Sequence, residues 1–305
     1  MISPDILKKG DTISLTAPAR FITEAEINDF TVLAKSWGLK LKIPAGLYAR
    51  YHQFAGNDST RGKCLQEVMD DAEIKAIFCA RGGYGSLRIL EQINIRNYTR
   101  FPKWIIGFSD ITAIHAWLNH QGFESVHALM PFSYRTSDKD SVLSAASLRE
   151  MLFTGPPDYQ FAGHPMNTTG NAEGELIGGN LSVIYSLQAT PWQYHPGNRI
   201  LFIEDVDEYL YHLDRMMTNL RLSGFLCRLK GIIVGYMSEM HDNKIPFGKD
   251  AFKIIADAVK PFGYPVCYGF PAGHKEPNYA LIFGRKVRLE AGKNLCRLQF
   301  AATDE

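Results

Sequence analysis

Three segments of the chain carry side chains that could do chemistry. In WIIGFSDITAIHAW an apolar strand, Trp104 to Phe108, runs into Ser109 and Asp110, and a helix starts at once. A serine on a tight strand-to-helix turn exposes its hydroxyl at the carboxyl end of a parallel sheet. The next backbone N–H groups, backed by the helix dipole, point at the same spot. One turn can thus supply a nucleophile and part of an oxyanion hole, although Ser109 or Asp110 could equally just cap the helix. The second glycine of the usual G-x-S-x-G elbow is missing, since Asp110 and Ile111 follow the serine. In CARGGYGSLRIL another strand end is followed by Gly82, Gly83 and Gly85, which permit positive φ and close approach of backbone N–H groups to an anion. The third place is split between two remote segments. LFIEDVDEYLYHLDR puts Glu204 at the end of an apolar strand, and YGFPAGHKEPNYALIFG puts His274 in a Gly/Pro loop. Each has an ordinary alternative, a helix cap for Glu204 and a plain loop residue for His274.

Together these places offer a hydroxyl, an imidazole base and a carboxylate to orient it, in the order Ser…Glu…His. Such a triad is defined by geometry and not by spacing. Other motifs compete weakly. The glycine turn could be read as a dinucleotide fingerprint, with Asp110 at about the right distance for a ribose contact, but Arg88 stands where the third glycine should be. The Walker-like GNDSTRGKC has five residues between its glycines and Cys64 in place of Ser/Thr. His115 and His120 are five apart and share no helix face, which is poor metal spacing. His127, at an expected strand end, could line the site.

The elements that must hold these residues alternate along the first half. Strands are expected at 12–17, 39–43, 75–80 and 104–108, and helices at 24–37, 59–71, 86–93, 111–118 and 142–153. Near-continuous apolar strands between helices imply a parallel sheet covered on both faces. Residues 155–172 are rich in Gly, Pro and Thr and read as a linker between an N-terminal domain, 1–154, and a C-terminal domain, 173–305. In the latter, strands are expected at 199–203, 231–236, 266–270, 280–283, 287–290 and 295–300, with helices at 209–222 and 249–259. The fold class is α/β, with a smaller, mixed, strand-rich second domain.

The length of 305 residues agrees with two domains at about 150 residues each. With 33 Lys+Arg against 32 Asp+Glu the chain is nearly neutral, which argues against a dedicated nucleic-acid binder. No apolar run is long enough for a signal peptide or a membrane span. The five cysteines are scattered without a CxxC, so a disulfide framework or a zinc cluster is not expected and a reducing cytoplasm is the simplest compartment.

The segments GDTISLTAP, FAGNDSTR, AIFCARGGYGSLRIL, PKWIIGFSDIT, GELIGGNLS, LFIEDVDE with LDR, and YGFPAGH resemble, in order, the motifs of the serine LD-carboxypeptidases, the muramoyltetrapeptide carboxypeptidases. The resemblance runs from about residue 10 to 290. It implies a flavodoxin-like N-terminal domain and a smaller C-terminal domain with the site between them. Ser109 would be the nucleophile, His274 the general base and then acid, and Glu204 the carboxylate that orients His274. Backbone N–H groups of Asp110, Gly82 and Gly83 would form the oxyanion hole. The implied substrate is a murein tetrapeptide losing D-Ala in peptidoglycan recycling, with no cofactor or metal, in a cytoplasmic homodimer without nucleic-acid or membrane partners. An exopeptidase also needs a group for the free terminal carboxylate, and Arg81 and Arg215 are candidates by charge. Family members often carry Gly-Pro where this chain has Ala128-Leu129, and Pro-Ser where it has Pro18-Ala19. Rival readings are a microcin C-type peptidyl-nucleotide hydrolase, with Trp192 as a conceivable stacking surface, and a non-catalytic nucleotide- or peptide-binding module.

Overall fold

The computed structural model describes residues 1–302. The chain divides into two compact units, Met1–Pro156 with Pro277–Ile282, and Pro157–Glu276 with Phe283 onward. The fold is α/β in both.

In the first unit the strands are β1 (Thr12–Thr16), β2 (Lys40–Lys42), β3 (Ile74–Cys79), β4 (Trp104–Gly107) and β5 (Ser125–His127). They pair in parallel in the order β2-β1-β3-β4-β5. That is the flavodoxin-like order, as the resemblance implied. A later segment, Leu281–Phe283, adds the sixth strand beside β5. All four residues of β4 are buried, which is why it reads as a continuous apolar run. The helices are α1 (Asn28–Ser36), α2 (Asp58–Asp70), α3 (Arg96–Arg100), α4 (Thr112–His120) and α5 (Lys139–Phe153). The side chain of Asn57 caps α2 by accepting from Thr60 N, and Asp138 accepts from Asp140 N at the start of α5.

The second unit is built on a seven-stranded sheet. Its strands are β6 (Tyr159–Ala162), β7 (Gly170–Asn180), β8 (Arg199–Val206), β9 (Gly231–Ser238) and β10 (Val266–Tyr268), then, beyond β11 (the Leu281–Phe283 strand above), β12 (Lys286–Ala291) and β13 (Leu295–Phe300). The order is β10-β9-β8-β7-β12-β13-β6, parallel from β10 to β7 and antiparallel through β12, β13 and β6. Its helices are α6 (Leu181–Ser186), α7 (Leu210–Leu222) and α8 (Ala251–Val259).

Two features depart from the sequence reading. The segment 155–172 contains β6 and the start of β7, so part of the expected linker is sheet. Residues 277–282 belong to the first unit although they lie within the expected second domain. Both depend on partners far away in the chain: β6 pairs with β13, and Asn278 N and Ala280 N donate to the hydroxyls of Ser144 and Ser147 on α5.

Candidate active site

Ser109 follows β4 after one residue, Phe108, and opens the turn of 3₁₀ helix that leads into α4. Its φ is +64°, a left-handed conformation that a serine adopts only under constraint. The constraint comes from both sides. The ring of His115, on α4, bonds through Nε2 to the carbonyl of Gly107 at 2.9 Å and through Nδ1 to Ser125 Oγ at 2.9 Å. Burial holds the imidazole low, at about 4, so it stays neutral, donates to Gly107 and accepts from Ser125. Gly82, at the end of β3, lies flat against the serine: a Cβ there would stand 3.0 Å from Ser109 Cβ and 3.2 Å from its Oγ.

The Asp110 side chain, read from the sequence as a helix cap or a ribose contact, instead ties the elbow to the glycine turn. It is buried and accepts from Ser86 N at 2.7 Å. Burial pushes its carboxyl above the ordinary range against the lowering effect of hydrogen bonds from Ser86 and Gly85 and the charge of Arg61. Arg61, on α2 and fully buried, donates through Nη1 to Gly85 O at 2.8 Å and to Pro18 O, and pairs with Asp58. A Cβ on Gly85 would meet that Nη1 at 2.5 Å, and the φ there is +136°. The turn carrying Gly82 and Gly83 is therefore clamped by a carboxylate on one side and a guanidinium on the other. The only local signal for this was a charged residue inside an otherwise ordinary helical pattern.

In the second unit Glu204 and His274 come together. Glu204 Oε2 meets His274 Nδ1 at 2.6 Å, with the glutamate side chain 0% exposed and the histidine 18% exposed. An irregularity in the sheet makes this possible. Ile203 pairs with Val234 but Asp205 pairs with Met237, so β9 carries one extra residue at this level. There Tyr236 N turns to Ala272 O, at 2.9 Å, drawing in the loop that holds His274. Burial disfavours the imidazolium, but the charge and hydrogen bond of Glu204 outweigh it and raise His274 above 6.5. Next to Glu204, Asp205 is pushed up to about 7 by burial and by the glutamate charge, while accepting from Asn180 Nδ2, Ser182 N and Val206 N. A groove of about 420 Å³ beside His274 is lined also by Tyr236, Ser238, Glu239, Phe252 and Lys275.

Gly273 makes the pairing testable. Its φ is +127°, and a Cβ would stand 2.8 Å from Glu204 Oε2 and 2.9 Å from Glu204 Cβ. Gly273→Ala is expected to displace the glutamate and lower kcat about 100-fold, the usual cost of an ångström-scale misplacement, with the circular dichroism spectrum retained. An unimpaired kcat would show that the carboxylate position does not matter.

The remaining candidates are engaged by other partners. Arg81 pairs with Glu26 at 3.2 Å and lies over the Phe132 ring at 3.8 Å. Arg215 is exposed on α7, over Tyr211 at 5.3 Å. His127 is fully buried, opposite Gly107 in the sheet and packed beside Phe108 at 5.8 Å, a support for the elbow with no surface to offer a substrate. Among the described residues no three His, Cys, Asp or Glu side chains gather to hold a metal ion, and no helix is long and apolar enough to cross a membrane.

Family models cover both units: the LD-carboxypeptidase N-terminal domain matches residues 13–128 and the C-terminal domain residues 173–289. The class is that of serine-type carboxypeptidases. A Bacillus subtilis protein named a probable murein peptide carboxypeptidase is 30% identical over 308 residues, covering 99% of this chain and 95% of its own. The crystal structure of muramoyltetrapeptide carboxypeptidase from Oxalobacter formigenes superposes with a TM-score of 0.87 at 25% identity, over 96% of this chain and 100% of that one. The chain belongs to the LD-carboxypeptidase family. The microcin C7 self immunity protein MccF, with a TM-score of 0.88 over 98% of each chain at 19% identity, shares the fold.

Proposed function

We propose that the protein releases terminal D-Ala from murein tetrapeptides during peptidoglycan recycling, through an acyl-enzyme on Ser109. His274 takes the Ser109 proton as the hydroxyl oxygen attacks the carbonyl of the L-configured centre. The backbone N–H groups of Gly82, Gly83 and Asp110 hold the oxyanion. His274 then protonates the leaving amine of D-Ala, the C–N bond breaks, and water, deprotonated by the same imidazole, releases the peptide acid and restores the serine. Glu204 fixes the tautomer of His274 and stabilises its charged form.

The observation that carries this reading is the left-handed backbone of Ser109 at the end of a buried parallel strand. A helix cap adopts extended backbone and needs no such strain, whereas a nucleophile elbow depends on it. The names borne by the Bacillus subtilis and Oxalobacter formigenes relatives supply the substrate class. The reading also has the enzyme work in the cytoplasm as a homodimer, which light scattering and cell fractionation would check.

The test is mass spectrometry of the purified protein with three substrates: the murein tetrapeptide, its tetrapeptide isomer ending in L-Ala, and a peptidyl-adenylate analogue. Release of D-Ala alone is expected. Faster cleavage of the adenylate would instead make the protein a peptidyl-nucleotide hydrolase, and no cleavage of any would favour the binding-module reading.

A further inference from the structure

We propose that Arg20 binds the free carboxylate at the end of the peptide substrate, an inference that rests on the exopeptidase reading above. A carboxypeptidase must tell a chain end from a chain interior. The planar guanidinium fork is the side chain best matched to a carboxylate. Both arginines singled out by charge alone have other partners: Arg81 is held by Glu26 and Phe132, and Arg215, on α7, lies over the Tyr211 ring.

Arg20 lies where the first unit's topology opens a crevice. The strand order reverses between β1 and β3, and ligands of such sheets bind outside the carboxyl ends of the strands at that reversal. Arg20 is in the loop after β1, Gly82 and Gly83 follow β3, and Ser109 follows β4. Arg20 N donates to Gly82 O at 3.3 Å, which fixes its backbone to the glycine turn. Its side chain is then laid across Gly83: a Cβ there would fall 2.2 Å from Arg20 Cδ and 2.5 Å from Cγ. On the other side of the same turn, Gly82 lies against Ser109. Two adjacent glycines thus separate the arginine stem from the nucleophile. The terminal carboxylate is similarly close to the scissile carbonyl, one residue or about 3.5 Å of extended chain away.

The charges single out the same residue. Arg61 and Arg88 both pair with Asp58, and Arg81 with Glu26, whereas Arg20 is exposed and makes no ion pair among the described residues. Arg20 is close enough for Arg81 to feel its positive charge, so the neighbourhood holds a second cation and no carboxylate committed to Arg20. An exposed arginine is usually just solvated. This one is packed onto positive-φ Gly83, next in the chain to the glycine that abuts Ser109, with no ion-pair partner among the described residues.

The test compares wild type, Arg20→Ala and Arg20→Lys on the tetrapeptide and on the same peptide with a C-terminal carboxamide. Wild type is expected to prefer the free acid strongly. Arg20→Ala should lose about 100-fold in kcat/KM on the acid, mostly through KM, and change by less than about threefold on the amide. Arg20→Lys should recover part of the preference. Labelling of Ser109 by a fluorophosphonate, which has no carboxylate, should be equal in all three. Arg20→Ala that keeps the acid-over-amide preference would overturn the assignment alone. A wild type that neither labels nor releases D-Ala would overturn the underlying reading and the Arg20 assignment with it.

Discussion

Ser109→Ala is expected to lower kcat for D-Ala release by about 10⁶-fold, the scale seen when a nucleophile acting in concert with its base is removed. No acyl-enzyme should accumulate in a stopped reaction. The fold should be unaffected, because the left-handed turn is imposed by its surroundings: the His115 bond to Gly107, the Asp110 bond to Ser86, and the close contact with Gly82. A companion variant separates catalysis from strain. A non-glycine residue at φ +64° costs on the order of 1–3 kcal/mol, whereas glycine visits that region freely. Ser109→Gly should therefore be as inactive as Ser109→Ala but melt at a higher temperature than wild type. An alanine variant that still releases D-Ala would remove the nucleophile assignment. A glycine variant that melts lower would show that the turn stores no strain.

The elbow was legible because its outline is local, a buried apolar strand, a serine and a helix start within a few residues, although the contacts from Gly82 and Ser86 that hold it are not. The same local legibility holds for β4 and for β3 from Ala76 onward, whose side chains are buried on both faces and so read as apolar runs. The first half of β7 was not legible. In GNAEGELIGGN the first six residues have no buried position, and the strand is held by its ladder to β12, more than a hundred residues later. Gly178 in that strand lies against the Phe202 carbonyl so tightly that a Cβ would come within 1.9 Å, so the glycine that looks like a loop signal is a packing requirement. Glu204 was identifiable as a polar residue ending an apolar strand, and His274 as an imidazole in a Gly/Pro loop. Their contact spans 70 residues and depends on an extra residue in β9 that no periodicity reveals. What the side chains of Arg61 and Asp110 do was invisible for a different reason. They act through backbone groups of the glycine turn, and sequence pattern carries no record of which backbone group a buried charge will find.

The second large effect is expected at the Glu204–His274 pair, and it carries a sign. A general base works only when neutral, so activity falls as pH drops through the pKa of His274. Burial lowers that pKa, but Glu204 more than compensates, so the acidic limb of kcat/KM should lie above pH 6.5. Glu204→Gln keeps the shape and removes the charge. Burial is then opposed only by the lesser charges of Asp205 and Glu239, and the limb should move to lower pH while kcat falls roughly 10⁴-fold through loss of the imidazolium-stabilising carboxylate. Asp205, pushed up to about 7 in part by the same glutamate charge, should lose its proton more readily in the variant, and its charge would offset part of that move. Stability follows the opposite course to activity. A histidine whose folded pKa is raised contributes stability that is fully present below pH 6.5 and is lost as pH rises through the raised value. Wild type should thus lose melting temperature, relative to Glu204→Gln, across the pH range in which it gains activity. On the proposed mechanism the pair would hold its proton until the pH at which the base is needed, so the interaction that orients His274 would also set the lower pH bound of the reaction. A Glu204→Gln profile with an unmoved acidic limb would assign that limb to some group other than His274.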